Sequence, residues 1–168
     1  TSQTFEIDIP TEKELDNILD KNLSDVENKA NTSISELKKL QNEIDEMMRK
    51  LVDKKDLNYQ DKKQLEELKN KHDEVKNMLK QMQQQMNENK QLDENYRQQD
   101  EQIMEKQKEL NELFDKVMND EMKELMKQLD DLMKEADKKK VQEQLENLKL
   151  KNEDIEKQLD QNIELMKR

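Results

Sequence analysis

Three features of the sequence predict an all-α fold, either an elongated antiparallel coiled-coil hairpin or a slim three- to four-helix bundle. Apolar residues recur every three to four positions along most of the 168-residue chain. Gly, Cys and Trp are absent, and Pro10 is the only proline. Charged residues make up 43% of the chain against 30% apolar and 2% aromatic. A compact α/β or all-β domain needs close to half apolar residues and several glycines for its turns, so this composition leaves long thin helices or a disordered chain. Spacing separates those two classes.

The first helix has the clearest pattern. Leu19, Leu23, Val26, Ala30, Ser33, Leu37, Leu40, Ile44, Met47 and Leu51 step by four and three, and nine of these ten sites are apolar. Pro10 stops a helix from running upstream, and Thr11-Glu12-Lys13-Glu14 has the Thr-x-x-Glu form of a capping box. The spacing predicts a helix over about 11–52, roughly 60 Å long at 1.5 Å per residue. Ahead of it Phe5, Ile7 and Ile9 alternate with Thr4, Glu6 and Asp8. Residues 1–10 therefore read as a short strand-like lead-in from an upstream domain, and residues 11–168 as the helical domain. The amphipathic pattern still runs at Arg168, so the chain is expected to be a fragment of something larger.

Asp53-Lys54-Lys55-Asp56-Leu57-Asn58 breaks the first seam, and Asn58 can cap a second helix over about 59–90 with Asp61 in its first turn. That helix carries Leu65, Leu68, His72, Val75, Leu79, Met82, Met86 and Asn89. From Asn87 to Gln102 only Leu92 and Tyr96 are apolar, which predicts a bend or break. A third helix, about 101–136, has a wide face: Ile103, Leu110, Leu113, Phe114, Val117, Met118, Met122, Leu125, Met126, Leu129, Leu132, Met133 and Ala136. A face that wide meets more than one neighbour, whereas the first helix has the narrow seam of a two-stranded pairing. Asn119 and Asp120 mark a kink or a new start within it. The last helix, about 139–168, carries Val141, Leu145, Leu148, Ile155, Leu159 and Met166, with Asn152 and Asn162 at seam positions. Short connections predict antiparallel neighbours; the alternative is fewer reversals, with longer helices paired between chains.

Lys and Arg total 31 against 42 Asp and Glu, a formal charge of −11, which makes nucleic acid and anionic membrane poor partners. The basic run Lys138-Lys139-Lys140 is flanked by Glu135, Asp137 and Glu143 and reads as a solvated helix surface. Mixed-sign pairs such as Glu36/Lys39 and Glu105/Lys108 support helices at i,i+3. No stretch approaches 18 apolar residues, so no direct membrane insertion by these residues is expected. The partners expected are proteins: the chain's own helices, a second copy, or other helices.

Candidate sites are few. His72 is the only histidine; it reads as an exposed seam edge or a register-setting polar residue sooner than as a ligand. Met78, Met82 and Met86, then Met118, Met122 and Met126, stand at i,i+4,i+8 on the apolar stripe. Core packing explains them best, ahead of an adaptable binding face or a soft-metal site. Asp56, Asn58, Gln60 and Glu67 mimic a calcium loop, but Asp61 stands where that loop needs Gly. The abundant carboxylates are expected on helix surfaces with ordinary pKa values. Asn89, Asn152 and Asn162 on the seams are candidates for setting register by meeting a polar residue across a helix pair. Nothing in this inventory forms a catalytic set, a metal site or a cofactor site.

Phe5-Glu6-Ile7-Asp8-Ile9-Pro10, Tyr59-Gln60-Asp61-Lys62-Lys63, Asn111-Glu112-Leu113-Phe114-Asp115 and Leu159-Asp160-Gln161-Asn162-Ile163-Glu164-Leu165 are together similar to the helical region of a family of large, uncharacterised membrane-anchored proteins of Bacteroidota, known as a domain of unknown function. Tyr59 stands where that family would have Trp. The resemblance implies membrane helices upstream and a segment facing the periplasm, and it supplies no catalytic residue. The function expected is a non-enzymatic structural or interaction module, an acidic helical spacer or oligomerisation segment of a larger envelope protein. The alternative is a holdase-like or adaptor surface that binds client segments on the Met-rich face.

Overall fold

In the computed structural model, which describes residues 9–96, 101–135 and 137–168, local capping chemistry starts three helices. Thr11 caps α1 (Glu12–Val52): the Glu14 N–H donates to the Thr11 hydroxyl at 3.3 Å, and the Glu14 carboxylate accepts from the Thr11 N–H at 2.8 Å. Asn58 does the same for α2 (Tyr59–Tyr96), accepting from the Asp61 N–H while Asp61 accepts from the Asn58 N–H, both at 2.9 Å. Asp137 opens the last helix by accepting from the Lys139 and Lys140 N–H groups. These bonds satisfy donors that a helix start otherwise leaves without partners.

The third rod has an internal irregularity. It runs as α3 (Glu101–Lys116), a π-helical stretch (Val117–Glu121) and α4 (Met122–Lys134). Its buried stripe steps from Leu110 to Phe114 and Val117, then jumps five residues to Met122 before returning to Leu125, Leu129 and Leu132. In an unbroken α-helix that extra residue would swing every later stripe position about 100° away from the core. The π turn absorbs it, with the Met122 N–H donating to the Val117 carbonyl, an i→i+5 bond. The kink expected at Asn119 and Asp120 is thus this widened turn, and the helix does not restart.

With α5 (Lys138–Lys167) the rods form a four-membered ring. α1 packs on α2 and α5, and the α3–α4 rod packs on the same two. Cross-links show that the neighbours are antiparallel. Glu27, Lys38, Gln41 and Asp45 on α1 meet Lys167, Glu156, Glu153 and Lys149 on α5, so that 18 steps up one helix match 18 steps down the other. Asn22 and Glu43 meet Asn89 and Lys71 on α2, and Lys69 on α2 meets Asp130 on α4. Exposed pairs of this kind add little stability individually, but a slipped register would break all of them together. The first helix, expected to have one partner, therefore has two: its seam widens by Ile34 and Leu15, both buried.

Stripe residues from all four rods merge into one core. Of the seam residues named from the sequence, Leu19, Val26, Leu37, Leu40, Ile44, Leu51, Leu65, Leu68, Val75, Leu79, Met82, Leu110, Phe114, Val117, Leu125, Leu129, Leu132, Leu145, Leu148, Ile155 and Leu159 are buried, and Leu23 is partly buried against the core. The second helix continues past the expected weak point at Asn87 to Tyr96, and α5 begins one residue early at Lys138. The proposed strand at Phe5 and Ile7, the side chain of Ile103, and Ala136 lie outside the described residues; Ile9 is exposed. Among the described residues no helix is long and apolar enough to cross a membrane.

Deleting Asn119 should convert the five-residue jump into a four-residue step and the π turn into ordinary α-helix. The expected outcome in thermal unfolding followed by circular dichroism is unchanged helicity with an equal or higher midpoint. Deleting Lys127 in the regular part of α4 should instead misplace Leu129 and Leu132 and lower the midpoint sharply.

Candidate functional site

Inside this apolar core lie polar groups that helix packing by itself does not require. His72 is fully buried, and it bridges α2 to α5 across the ring diagonal, between two helices that are not ring neighbours. The sequence reading of an exposed seam edge is thereby corrected: the step from Leu68 to Val75 places position 72 on the core line, and the imidazole points inward. Its Nδ1 lies 2.8 Å from the Leu68 carbonyl oxygen and its Nε2 lies 3.0 Å from Asn152 Oδ1. The Asn152 side chain is also fully buried, and its Nδ2 has no partner. A carbonyl oxygen only accepts, so Nδ1 carries a hydrogen. Burial in apolar surroundings holds the imidazole below its ordinary pKa of 6.5, against the pull of its two hydrogen bonds and of Glu43 and Asp73.

A second polar contact ties α1 to α2, where Asn22 Nδ2 donates to Asn89 Oδ1 at 2.7 Å. The third seam asparagine differs. Asn162 is fully buried, and neither its Nδ2 nor its Oδ1 has a partner; the hydroxyl of fully buried Ser33 is likewise unpartnered. By the α1–α5 register, Ser33 and Asn162 stand at one level of the bundle. Asn89 and Asn152 therefore meet polar groups on other helices, and Asn162 does not.

Two carboxylates also depart from the expected exposed positions. Asp61 and Asp93 are buried. For Asp61, burial alone would raise the pKa, but a Lys54 ammonium at 2.5 Å and the Asn58 N–H outweigh it and hold the carboxyl below its ordinary value. Asp93 accepts from the Gln107 amide on α3. Both continue the seam spacing, Asp61 four residues before Leu65 and Asp93 four after Asn89, so extending the period one step each way finds them. Two exposed carboxylates are also held below the ordinary value, Glu14 by the Thr11 N–H and hydroxyl and Asp130 by Lys69.

The lysine run at the start of α5 has a structural use. Lys138 Nζ donates to the carbonyls of Val52, at 3.0 Å, and Lys54. This places a cation at the negative end of the α1 dipole. Where α5 ends, a cavity of about 180 Å³ opens between the helices, lined by Leu19, Leu23, Met86, Leu110 and Met166 with Asn89 and Asp93. Among the described residues no three His, Asp or Glu side chains converge as they would around a metal ion.

No protein family, curated protein or solved structure matches the chain.

Asn162→Leu should remove a buried amide without partners and stabilise the bundle by about 1–3 kcal/mol in urea unfolding. Asp61→Ala should cost about 1–2 kcal/mol at pH 7. Because the folded pKa of Asp61 lies below the ordinary 3.8, its contribution is present above that value and is lost as pH falls through the folded value. The difference between wild type and the Asp61 variant should therefore shrink as pH falls below about 5, through 3.8 and on through the folded value.

Proposed function

We propose that the chain is a non-enzymatic structural and interaction module, a self-closed helical arm that a larger protein projects. The observation that carries this reading is where the methionines go. Met82, Met86 and Met122 are buried, and Met78, Met118, Met126 and Met133 pack against the same core. A surface meant for client segments would keep that face open, whereas here the chain's own rods cover it.

The even number of rods gives the module its form. α1 rises and α5 returns beside it, with Lys167 meeting Glu27 at 3.1 Å. The chain therefore enters and leaves on the same end, while the turns after Val52 and Lys134 lie at the other. In this topology the end of α5 returns to the level of Glu27, about 22 Å along α1 from its start at Glu12. The rod extends sideways by the length of α1, about 60 Å for 41 residues, and presents its far tip. Lys138 ties the two turns of that tip together. The likeness of four segments to membrane-anchored proteins of Bacteroidota supports an envelope protein as the parent. The runner-up remains a holdase-like or adaptor surface, for which the bundle would have to open.

The test is light scattering together with small-angle X-ray scattering on the purified chain. The expected result is a 20.3 kDa monomer with a longest dimension of roughly 60–70 Å and no binding of a hydrophobic dye at pH 7.5. Replacing Met78, Met82, Met86, Met118, Met122 and Met126 by Leu should leave these results unchanged. Dye binding by the wild-type chain, or a dimer that dissociates on that replacement, would favour the adaptor reading.

A further inference from the structure

His72 and Asn152 present a hydrogen-bond count that a single protonation state satisfies in only one amide orientation. A neutral imidazole has one N–H, and the Leu68 carbonyl, 2.8 Å from Nδ1, takes it. Nε2 is then a lone pair that needs a donor. Asn152 offers one of two faces to it: Oδ1 now lies 3.0 Å away while Nδ2 is unpartnered and buried. Turning the amide half a revolution sets its NH2 against the Nε2 lone pair. With the amide as it stands, the matching ring is the imidazolium, which donates from Nδ1 to Leu68 and from Nε2 to Asn152.

We propose that His72 and Asn152 form a proton-operated latch across the α2–α5 diagonal: the amide donates to the neutral ring and turns over to accept from the protonated one, and the charge then buried loosens the bundle in mild acid. This rests on the closed bundle of the proposed function and adds a condition under which its Met-lined core would open. Either proton state keeps both ring hydrogen bonds, so acid removes no bond. What it adds is a cation in a core where no described carboxylate pairs with it.

The groups around His72 bear this out on every side. On α1, Glu43 is half exposed and bonded to Lys71, and Asp45 is bonded to Lys149. On α2 itself, Asp73 is only partly buried and Lys69 is bonded to Asp130. On α4 at this level stand Lys127 and Asp130, both exposed. On α5 are Lys149, Lys151, bonded to Glu121, and Glu153, bonded to Gln41. Four of these six carboxylates, Glu43, Asp45, Glu121 and Asp130, are already matched to a lysine.

The sign comes from linkage. A folded pKa below 6.5 means that below pH 6.5 the open chain takes up a proton that the closed bundle refuses. The closed-to-open ratio then falls up to tenfold per pH unit until the folded value is reached, and is flat above pH 6.5. His72 is the only histidine, so the effect has one source and one spectroscopic reporter.

The experiment is urea unfolding at pH 7.0 and pH 5.0 for the wild type and for a His72→Leu, Asn152→Leu double variant, with nitrogen NMR of the single imidazole. The expected loss for the wild type is up to about 25-fold in the folding equilibrium between the two pH values, the limit for one group of ordinary pKa 6.5 that stays neutral in the closed bundle. It is accompanied by greater hydrophobic-dye binding at pH 5.0 in low urea. The double variant should lack that excess, and the ring at pH 7.0 should be the Nδ1–H tautomer. Equal pH dependence in the two proteins, an Nε2–H tautomer, or a ring that titrates near 6.5 inside a fully closed bundle would each overturn the latch. If the double variant does not fold, the NMR titration of the wild type decides. A dye-binding or dimeric chain already at pH 7.5 would instead count against the closed-bundle reading on which the latch rests.

Discussion

The structure depends on one constraint: each rod has a single apolar stripe, and a chain this polar can hide four stripes only by turning them all toward one axis. Full burial of a Leu or Met side chain is worth about 1.5–3 kcal/mol. Ordering the backbone costs about 1–2 kcal/mol for every residue, including the many that bury nothing. With 30% apolar residues, a misplaced stripe has no reserve behind it. The extra residue between Val117 and Met122 shows how strict this is. The backbone adopts a π turn so that Met122, Leu125, Leu129 and Leu132 stay on the axis.

That same dependence made most of the fold legible. Steps of three and four gave the helices, and caps at Thr11 and Asn58 gave two of their starts, because both signals are local and carried by residue type; the Asp137 cap of the last helix went unread. The π turn was half legible. Asn119 and Asp120 drew attention by composition, while the deciding signal was the interval from 117 to 122, which registers only when the stripe is counted straight through. Ring order and the choice between intramolecular and intermolecular pairing were not legible, since a stripe says that a helix has neighbours and not which ones. The second neighbour of α1 is supplied by α5, a helix distant in the sequence.

The polar core was misread for a related reason. The carboxylates are expected on the surface because that is where they usually lie, yet Asp61 and Asp93, like His72 and the seam residues Asn152 and Asn162, sit at stripe positions and are buried. Period, not polarity, set their location. Their environments then diverge. Asp61 gains an ammonium and a backbone donor, Asn89 and Asn152 gain partners on other helices, and Asn162 gains none. Candidate-site residues could thus be located from the sequence, but whether each was satisfied depended on which helix stood opposite.

That difference bears on what the buried groups are for. If polar core residues served only to fix register, a partnered contact at one level would suffice, since the ion pairs along α1 and α5 already oppose a slip. Instead the bundle buries Ser33, His72, Asn152 and Asn162 along its length, and several of their polar atoms find no partner. Each such atom subtracts from the stability of the closed state and leaves the unfolded state, where water satisfies it, untouched. The sequence therefore holds the closed bundle nearer to opening than its seams require. In the proposed latch that small margin is what protonation would act on, since His72 is the one side chain whose ordinary pKa lies near neutral pH.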